Sequence, residues 1–157
     1  MTVMKRILFV ITVLASMAMG VRGANPAPAF GVFDKRNGFE YTCLSPGKDA
    51  MDKKGLPGIP LEKISLVEMV STREHGCGQE FKMSVSQAIS GNGLELMSAR
   101  DDDRKRNEFY AAWDSDRGVF THLLLIKYRD AEHCNAKLMF LTGELTPADF
   151  SRLFEIN

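Results

Sequence analysis

Five side chains of the types that perform acid–base chemistry stand out in this chain: His75, Glu80, Glu95, Arg117 and His133. A hydrolase needs two titratable groups that converge on one bond, and a cation that stabilises the developing charge. A glutamate, a histidine and an arginine supply those types. Sequence spacing does not bring them together, so an acid–base hydrolase remains an alternative and no catalytic residue is assigned.

The third histidine, His122, lies inside an apolar run and is predicted to be a partly buried structural residue. The chain contains no Gly-x-Ser-x-Gly, His-Glu-x-x-His or Cys-x-x-Cys motif and no glycine-rich phosphate loop. The sequence therefore predicts no metal site and no cofactor.

Residues 1–23 have the anatomy of a secretory signal peptide. Two basic residues precede the apolar run Ile7–Met19, and Val21 and Gly23 suit a cleavage site. The apolar run is shorter than the roughly 20 residues that span a membrane. We therefore expect a secreted protein without membrane attachment after cleavage, in which residues 24–157 form a single domain.

The charge balance bears on the class of partner. Signal cleavage removes three basic residues and no acidic one, so the balance of 20 basic and 20 acidic residues becomes a net charge of about −3. Nucleic-acid-binding domains usually carry a basic excess that neutralises phosphates. We therefore expect a protein partner, with RNA binding at most weak.

The three cysteines, Cys43, Cys77 and Cys134, allow three different single disulfides in an oxidising compartment, each leaving one cysteine over. A bridge between Cys43 and Cys134 would close a loop of about 90 residues, which the chain-entropy model credits with roughly 4–5 kcal/mol. That pair would join the start of the domain to a late strand, and we favour it. Three unpaired thiols remain the alternative.

One segment has the pattern of a helix. Leu61, Ile64, Val67 and Val70 recur every three residues, directly after a proline. Proline suits the first turn of a helix, and apolar residues at this spacing line one helix face. The pattern therefore predicts a main helix that begins near Leu61 and ends before Gly76.

Alternating apolar and polar side chains predict strands elsewhere. The predicted strands are Phe39–Cys43, Phe81–Val85, Leu94–Met97, Phe109–Trp113, Val119–Tyr128 and Lys137–Leu141. The fourth and fifth would form a hairpin, and the unbroken apolar centre of the fifth predicts a central strand. Thr146 and Pro147 predict the start of a short C-terminal helix. The expected fold class is α+β, with one main helix packed on a central antiparallel sheet.

These features resemble the secreted effectors of cereal powdery mildews, which carry a Tyr-x-Cys motif soon after the signal peptide and a second cysteine late in the chain. Tyr41-Thr-Cys43 and Cys134 match those two marks over the span Phe39–Cys134. The resemblance implies a fold like that of the small guanyl-specific fungal ribonucleases. It also implies a disulfide between Cys43 and Cys134.

The resemblance bears on catalysis as well. If the predicted hairpin matches the last catalytic hairpin of those ribonucleases, the arginine and histidine positions fall near Phe109–Tyr110 and Leu125–Ile126. These side chains cannot stabilise a pentacovalent phosphate or transfer a proton. A second alignment would use Arg117 as the arginine, but it places that residue in a turn. The first alignment implies a ribonuclease-like scaffold that has lost its chemistry.

The function expected from the resemblance is that of a secreted, monomeric, non-enzymatic fungal effector that binds a host component, a protein in preference to RNA. Such proteins act around host cells or after translocation into them. Two exposed loops, Lys48–Gly58 and Asp101–Arg106, are the expected contact surfaces. Two alternatives stay open: an active secreted ribonuclease, and a bacterial periplasmic binding or inhibitor domain.

Overall fold

A computed structural model describes residues 27–45, 61–73, 78–130 and 135–155. These residues form one six-stranded antiparallel sheet and two α-helices, which confirms the predicted α+β class. The strands are β1 (Phe39–Leu44), β2 (Ile64–Thr72), β3 (Glu95–Asp102), β4 (Lys105–Asp114), β5 (Val119–Asp130) and β6 (Asn135–Leu145). The helices are α1 (Gly78–Gly91) and α2 (Pro147–Glu155). The predicted signal peptide, residues 1–23, and the predicted loop Lys48–Gly58 lie outside the described residues.

The strand order across the sheet is β1-β2-β6-β5-β4-β3. Strands β3 to β6 follow one another as a meander, and the last strand, β6, pairs with β2 on its far side. The central position predicted for Val119–Tyr128 is confirmed, because β5 lies between β4 and β6 with Leu123, Leu124 and Ile126 buried. Strands β1 and β3 are the two edges.

The helix predicted from Leu61 is wrong. A single 3-10 turn, Leu61–Lys63, leads directly into strand β2. Side chains on both faces of this strand are buried, among them Leu66, Val67 and Val70, so apolar residues occur at most positions whatever the period. The β-branched residues of the segment also fit an extended backbone better than a helix.

The strand predicted at Phe81–Val85 is wrong as well, because those residues lie within α1. Phe81, Val85 and Ala88 are buried, at the spacing that places them on one side of a helix. Met83, whose apolar side chain created the apparent alternation, is 57% exposed. Helix α1 ends at Gly91.

The charged segment Asp101–Arg106, predicted as an exposed loop, is instead a β-hairpin. Strand β3 continues to Asp102, and β4 starts at Lys105. Asp103 at the turn has a φ of 52°, a left-handed conformation that aspartate tolerates better than most residues. The predicted hairpin of β4 and β5 is confirmed, and Gly118 with a φ of 65° closes its turn.

The sheet has two faces with separate cores. On the first, which we call the helix face, Phe81 of α1 packs its ring edge-on to Tyr128 at 6.2 Å and shares a core with Leu124, Ile126 and Phe140. The opposite face, the open face, has a smaller core: Ile64, Val67, Ala111, Leu123, Leu141 and Leu145. Helix α2 lies over one end of the open face, where Phe150 stacks on Phe120 at 4.2 Å.

Helix α2 begins with a capping box, as Thr146 and Pro147 predicted. The Asp149 amide donates to Thr146 Oγ1 at 3.3 Å, and the Thr146 amide donates to Asp149 Oδ2 at 3.0 Å. Lys63 Nζ donates to the same carboxylate at 2.7 Å. These contacts join α2 to the turn that precedes β2, which fixes the position of the helix on the open face.

Candidate functional site

The residues considered for acid–base chemistry do not form one cluster in the described part of the chain. Glu80 lies on α1 and pairs with Arg36 at 2.6 Å. Glu95 begins the edge strand β3 and lies opposite Ala111 on the open face. His75 and His133 lie outside the described residues.

Arg117 is placed in the turn between β4 and β5 and is engaged by two acids. Its Nε donates to Asp114 Oδ2 at 2.8 Å, and its guanidinium also pairs with Glu144. The hydrogen bond from Arg117 lowers the pKa of Asp114 below its usual value. The arginine therefore closes the hairpin turn and has its charge balanced locally.

His122 has the structural role that the sequence predicts. It lies on β5, and its ring stacks on Phe140 at 5.6 Å between centroids. Its Nδ1 is 2.9 Å from Thr121 Oγ1. Burial lowers the pKa of His122 from 6.5 to about 4, so the imidazole is neutral at pH 7.

Tyr41 of the Tyr-x-Cys motif contacts a buried carboxylate. Its hydroxyl donates to Glu68 Oε1 at 2.9 Å, and Glu68 is fully buried. The same carboxylate accepts the backbone N–H groups of Ala29 at 2.9 Å and Phe30 at 2.8 Å. Burial, followed by the interactions with Cys43 and Glu68, raises the pKa of Tyr41. Glu68 therefore fastens the N-terminal segment to the helix face, a role that sequence reasoning missed.

Cys43 is exposed on β1, and its predicted partner Cys134 lies outside the described residues. Cys43 lies opposite Glu68, which in turn lies opposite Phe140 of β6. The bridge between Cys43 and Cys134 therefore stays a prediction.

The open face carries an apolar strip across four neighbouring strands. Met69 lies opposite Met139, Met139 opposite Leu125, and Leu125 opposite Phe109. Directly paired residues of antiparallel strands point to the same face with Cβ atoms about 4.5–5.5 Å apart. These four side chains therefore form one continuous strip, the apolar row. Met69 is 38% exposed, and the other three are half-buried.

A second row runs beside the apolar row, two residues away from it on β6, β5 and β4, and extends to β3. Lys137 lies opposite Lys127, Lys127 opposite Asn107, and Asn107 opposite Arg100. All four side chains are exposed, and together they form the cationic row. Like charges placed directly opposite each other destabilise a sheet, so fold stability does not explain why Lys127 faces Lys137.

The cationic row continues into a shallow, open depression at the same end of the sheet. Its lining is Asp102, Asp103, Arg104, Lys105 and Arg129. The segment predicted as the contact loop Asp101–Arg106 thus contributes to this end of the open face. The other predicted contact loop, Lys48–Gly58, lies outside the described residues.

Sequence reasoning placed the relevant hairpin but not these rows. The two pairs of positions at which the resemblance expects arginine and histidine, Phe109–Tyr110 and Leu125–Ile126, lie side by side on β4 and β5. Phe109 and Leu125 belong to the apolar row. The pairing of Met69 with Met139 joins residues far apart in the chain, and no local pattern indicates it.

Among the described residues, no three histidine, cysteine or acidic side chains are grouped so that they could hold a metal ion. No helix in the same ranges is long and apolar enough to cross a membrane. Comparison with protein-family models, with curated proteins and with solved structures found no match to this chain.

Proposed function

We propose that this protein is a secreted, non-enzymatic binding protein with a ribonuclease-like fold, and that its open face binds a protein of a host cell. One observation supports this proposal more than the others. The apolar row crosses the sheet at the strand positions where the resemblance to fungal ribonucleases expects charged catalytic side chains.

The chemistry of the row suits binding. Phe109 and Leu125 cannot transfer protons, but half-buried apolar side chains gain free energy when a partner removes them from water. Methionine is over-represented at surfaces that adapt to a partner, because its side chain is unbranched and polarisable. Met69 and Met139 form one half of the row.

A site-specific crosslinking experiment tests the proposal. A photoreactive phenylalanine analogue replaces Met69 on the open face or, as a matched control, Met83, which is also exposed but lies on α1. Each purified protein is irradiated in an extract of host tissue. We expect discrete protein adducts from position 69 and none of the same mass from position 83.

Two results would contradict the proposal. The first is adduct formation that does not differ between the two positions. The second is cleavage of RNA by the purified protein that disappears in the His133→Ala variant, which would favour the alternative of an active secreted ribonuclease.

A further inference from the structure

We propose that the segment bound by the open face is an acidic, amphipathic α-helix of the partner protein, which lies across strands β2, β6, β5 and β4 beside α2. This inference rests on the proposed function and deepens it. The helix would place its apolar side on the apolar row and its carboxylates against the cationic row.

The charges of the cationic row have no counterpart in the described part of the chain. Five of the described basic residues form ion pairs with acids: Arg36, Lys63, Arg73, Arg106 and Arg117. Lys127, Lys137 and Arg100 are among the described basic residues that form none. Two lysines held directly opposite each other repel, and carboxylates of a partner would relieve that repulsion.

The shape of the site favours a polypeptide over a lipid surface. The apolar row lies beside the cationic row, and three of its four side chains are half-buried. Phe150 of α2 contacts Phe109 at 5.3 Å, so the helix borders the row directly. A membrane needs apolar side chains that protrude beyond the charged ones, and Met139, Leu125 and Phe109 are half-buried beside exposed lysines.

The spacing of the row favours a helix over an extended chain. Neighbouring strands are about 4.8 Å apart, close to the 5.4 Å rise of one helical turn, so successive turns meet successive strands. An extended chain on this apolar face would leave backbone N–H and C=O groups without partners, whereas a helix satisfies its own. Helix α2 already packs on the open face in this way.

RNA fits the site less well. Single-stranded nucleic acid binds through a basic groove with aromatic rings on which bases stack. The apolar row contains a single aromatic ring, Phe109, so it offers few platforms on which bases could stack. The basic groove alone would give only a weak, salt-dependent attraction.

The experiment measures binding of labelled peptides to the purified protein by fluorescence anisotropy. The probe is a peptide of about 15 residues with leucines along one helical side and glutamates along the other. Reference ligands are a scrambled peptide of the same composition, the same peptide with lysine in place of glutamate, a single-stranded RNA of equal length, and vesicles that contain phosphatidylserine. We expect the acidic amphipathic peptide to bind at least about tenfold more tightly than each reference.

Variants connect the binding to the two rows. Lys127→Gln combined with Lys137→Gln should weaken binding about tenfold or more, and should not lower the melting temperature, because it removes a repulsion. Met69→Gln should weaken binding as well. The matched controls Lys82→Gln and Met83→Gln, on exposed positions of α1, should leave the affinity unchanged.

The inference is overturned if the scrambled peptide binds equally well, if the lysine variants bind as the unaltered protein does, or if RNA or vesicles are preferred. The proposed function can fail separately. Specific crosslinks from position 69 combined with no preference for the acidic peptide would leave the proposed function standing and refute the inference alone.

Discussion

The hydroxyl of Tyr41 donates a 2.9 Å hydrogen bond to the carboxylate of Glu68, a fully buried residue in the middle of β2. This contact gives the Tyr-x-Cys motif a structural role in this chain. The tyrosine completes the set of donors around a buried charge, and the two backbone donors come from the segment that precedes β1. Removing any of these donors leaves a buried carboxylate less well solvated.

We therefore expect Glu68→Gln to lower the free energy of unfolding by about 1–3 kcal/mol. The amide NH₂ of glutamine would face a backbone N–H, so two buried donors would point at each other without an acceptor. Tyr41→Phe should cost about 1 kcal/mol, since it removes one hydrogen bond and little volume. Denaturant unfolding of each variant measures both effects.

Glu40→Gln on the neighbouring strand β1 is the matched control. Glu40 is exposed and pairs with Arg73 at the surface, so its loss should change the stability by less than about 0.5 kcal/mol. If Glu68→Gln proved as mild as this control, the fastening role of the buried carboxylate would be wrong.

His122 should make the protein less stable in weak acid. Its pKa is about 4 in the folded protein and 6.5 in the unfolded chain, so the unfolded state takes up a proton first. The stability from keeping this ring neutral is complete above pH 6.5 and is lost as the pH falls towards 4. Between pH 4 and pH 6.5, the free energy of unfolding should depend less steeply on pH in His122→Gln than in the unaltered protein. The other two histidines are present in both proteins and serve as the internal control, and equal slopes would contradict the prediction.

Asp149 should make the stability of the protein depend on pH in a lower range than His122 does. The hydrogen bond from Lys63, together with those from Thr146, lowers its pKa from 3.8 to about 2. Its stabilising effect is therefore present above pH 3.8 and is lost as the pH falls towards 2. Asp149→Asn should flatten that part of the pH profile and cost about 1 kcal/mol at pH 7 through the lost cap. Asp116→Asn, in the exposed β4–β5 turn, is the control, and equal behaviour of the two variants would count against the capping box.

Gly143 on β6 should resist substitution. A Cβ at this position would lie 2.3 Å from the carbonyl oxygen of Lys63, which is backbone and cannot move without shifting β2. Gly143→Ala should therefore destabilise the protein by about 1–3 kcal/mol or more. Gly91→Ala is the comparison, because a Cβ there meets no atom within 4 Å and should be neutral or slightly stabilising. Equal melting temperatures of the two variants would show that the close approach is not rigid.

Local patterns were sufficient where local contacts decide the structure. The hairpin of β4 and β5 and the cap of α2 each depend on residues close in sequence, and both were predicted. Between Leu61 and Val85 the sequence predicted a helix where the chain forms β2, and a strand where it forms α1. Both errors have one cause. Strand β2 gains its burial from β6, about 70 residues later, and α1 gains its burial from the sheet as a whole, so short windows around Val67 or Phe81 are ambiguous.

In the candidate site, too, contacts between residues close in sequence could be predicted and contacts between distant residues could not. Lys127 and Lys137 flank the turn between β5 and β6, and a hairpin centred there puts them opposite each other. Met69 and Met139 meet only because β6 returns to β2. The facing lysines of the cationic row could be predicted from the sequence, whereas the apolar row could be found only once the strand order was known.

The return of β6 to β2 also affects how the chain is made. Synthesis proceeds from the N-terminus, so β2 keeps one unpaired edge until β6, about 70 residues later, has also been made. Contacts of such large sequence separation form slowly, and an unpaired apolar strand readily joins with other copies. Truncation before Asn135 would leave that edge of β2 unpaired and should therefore yield an aggregating product.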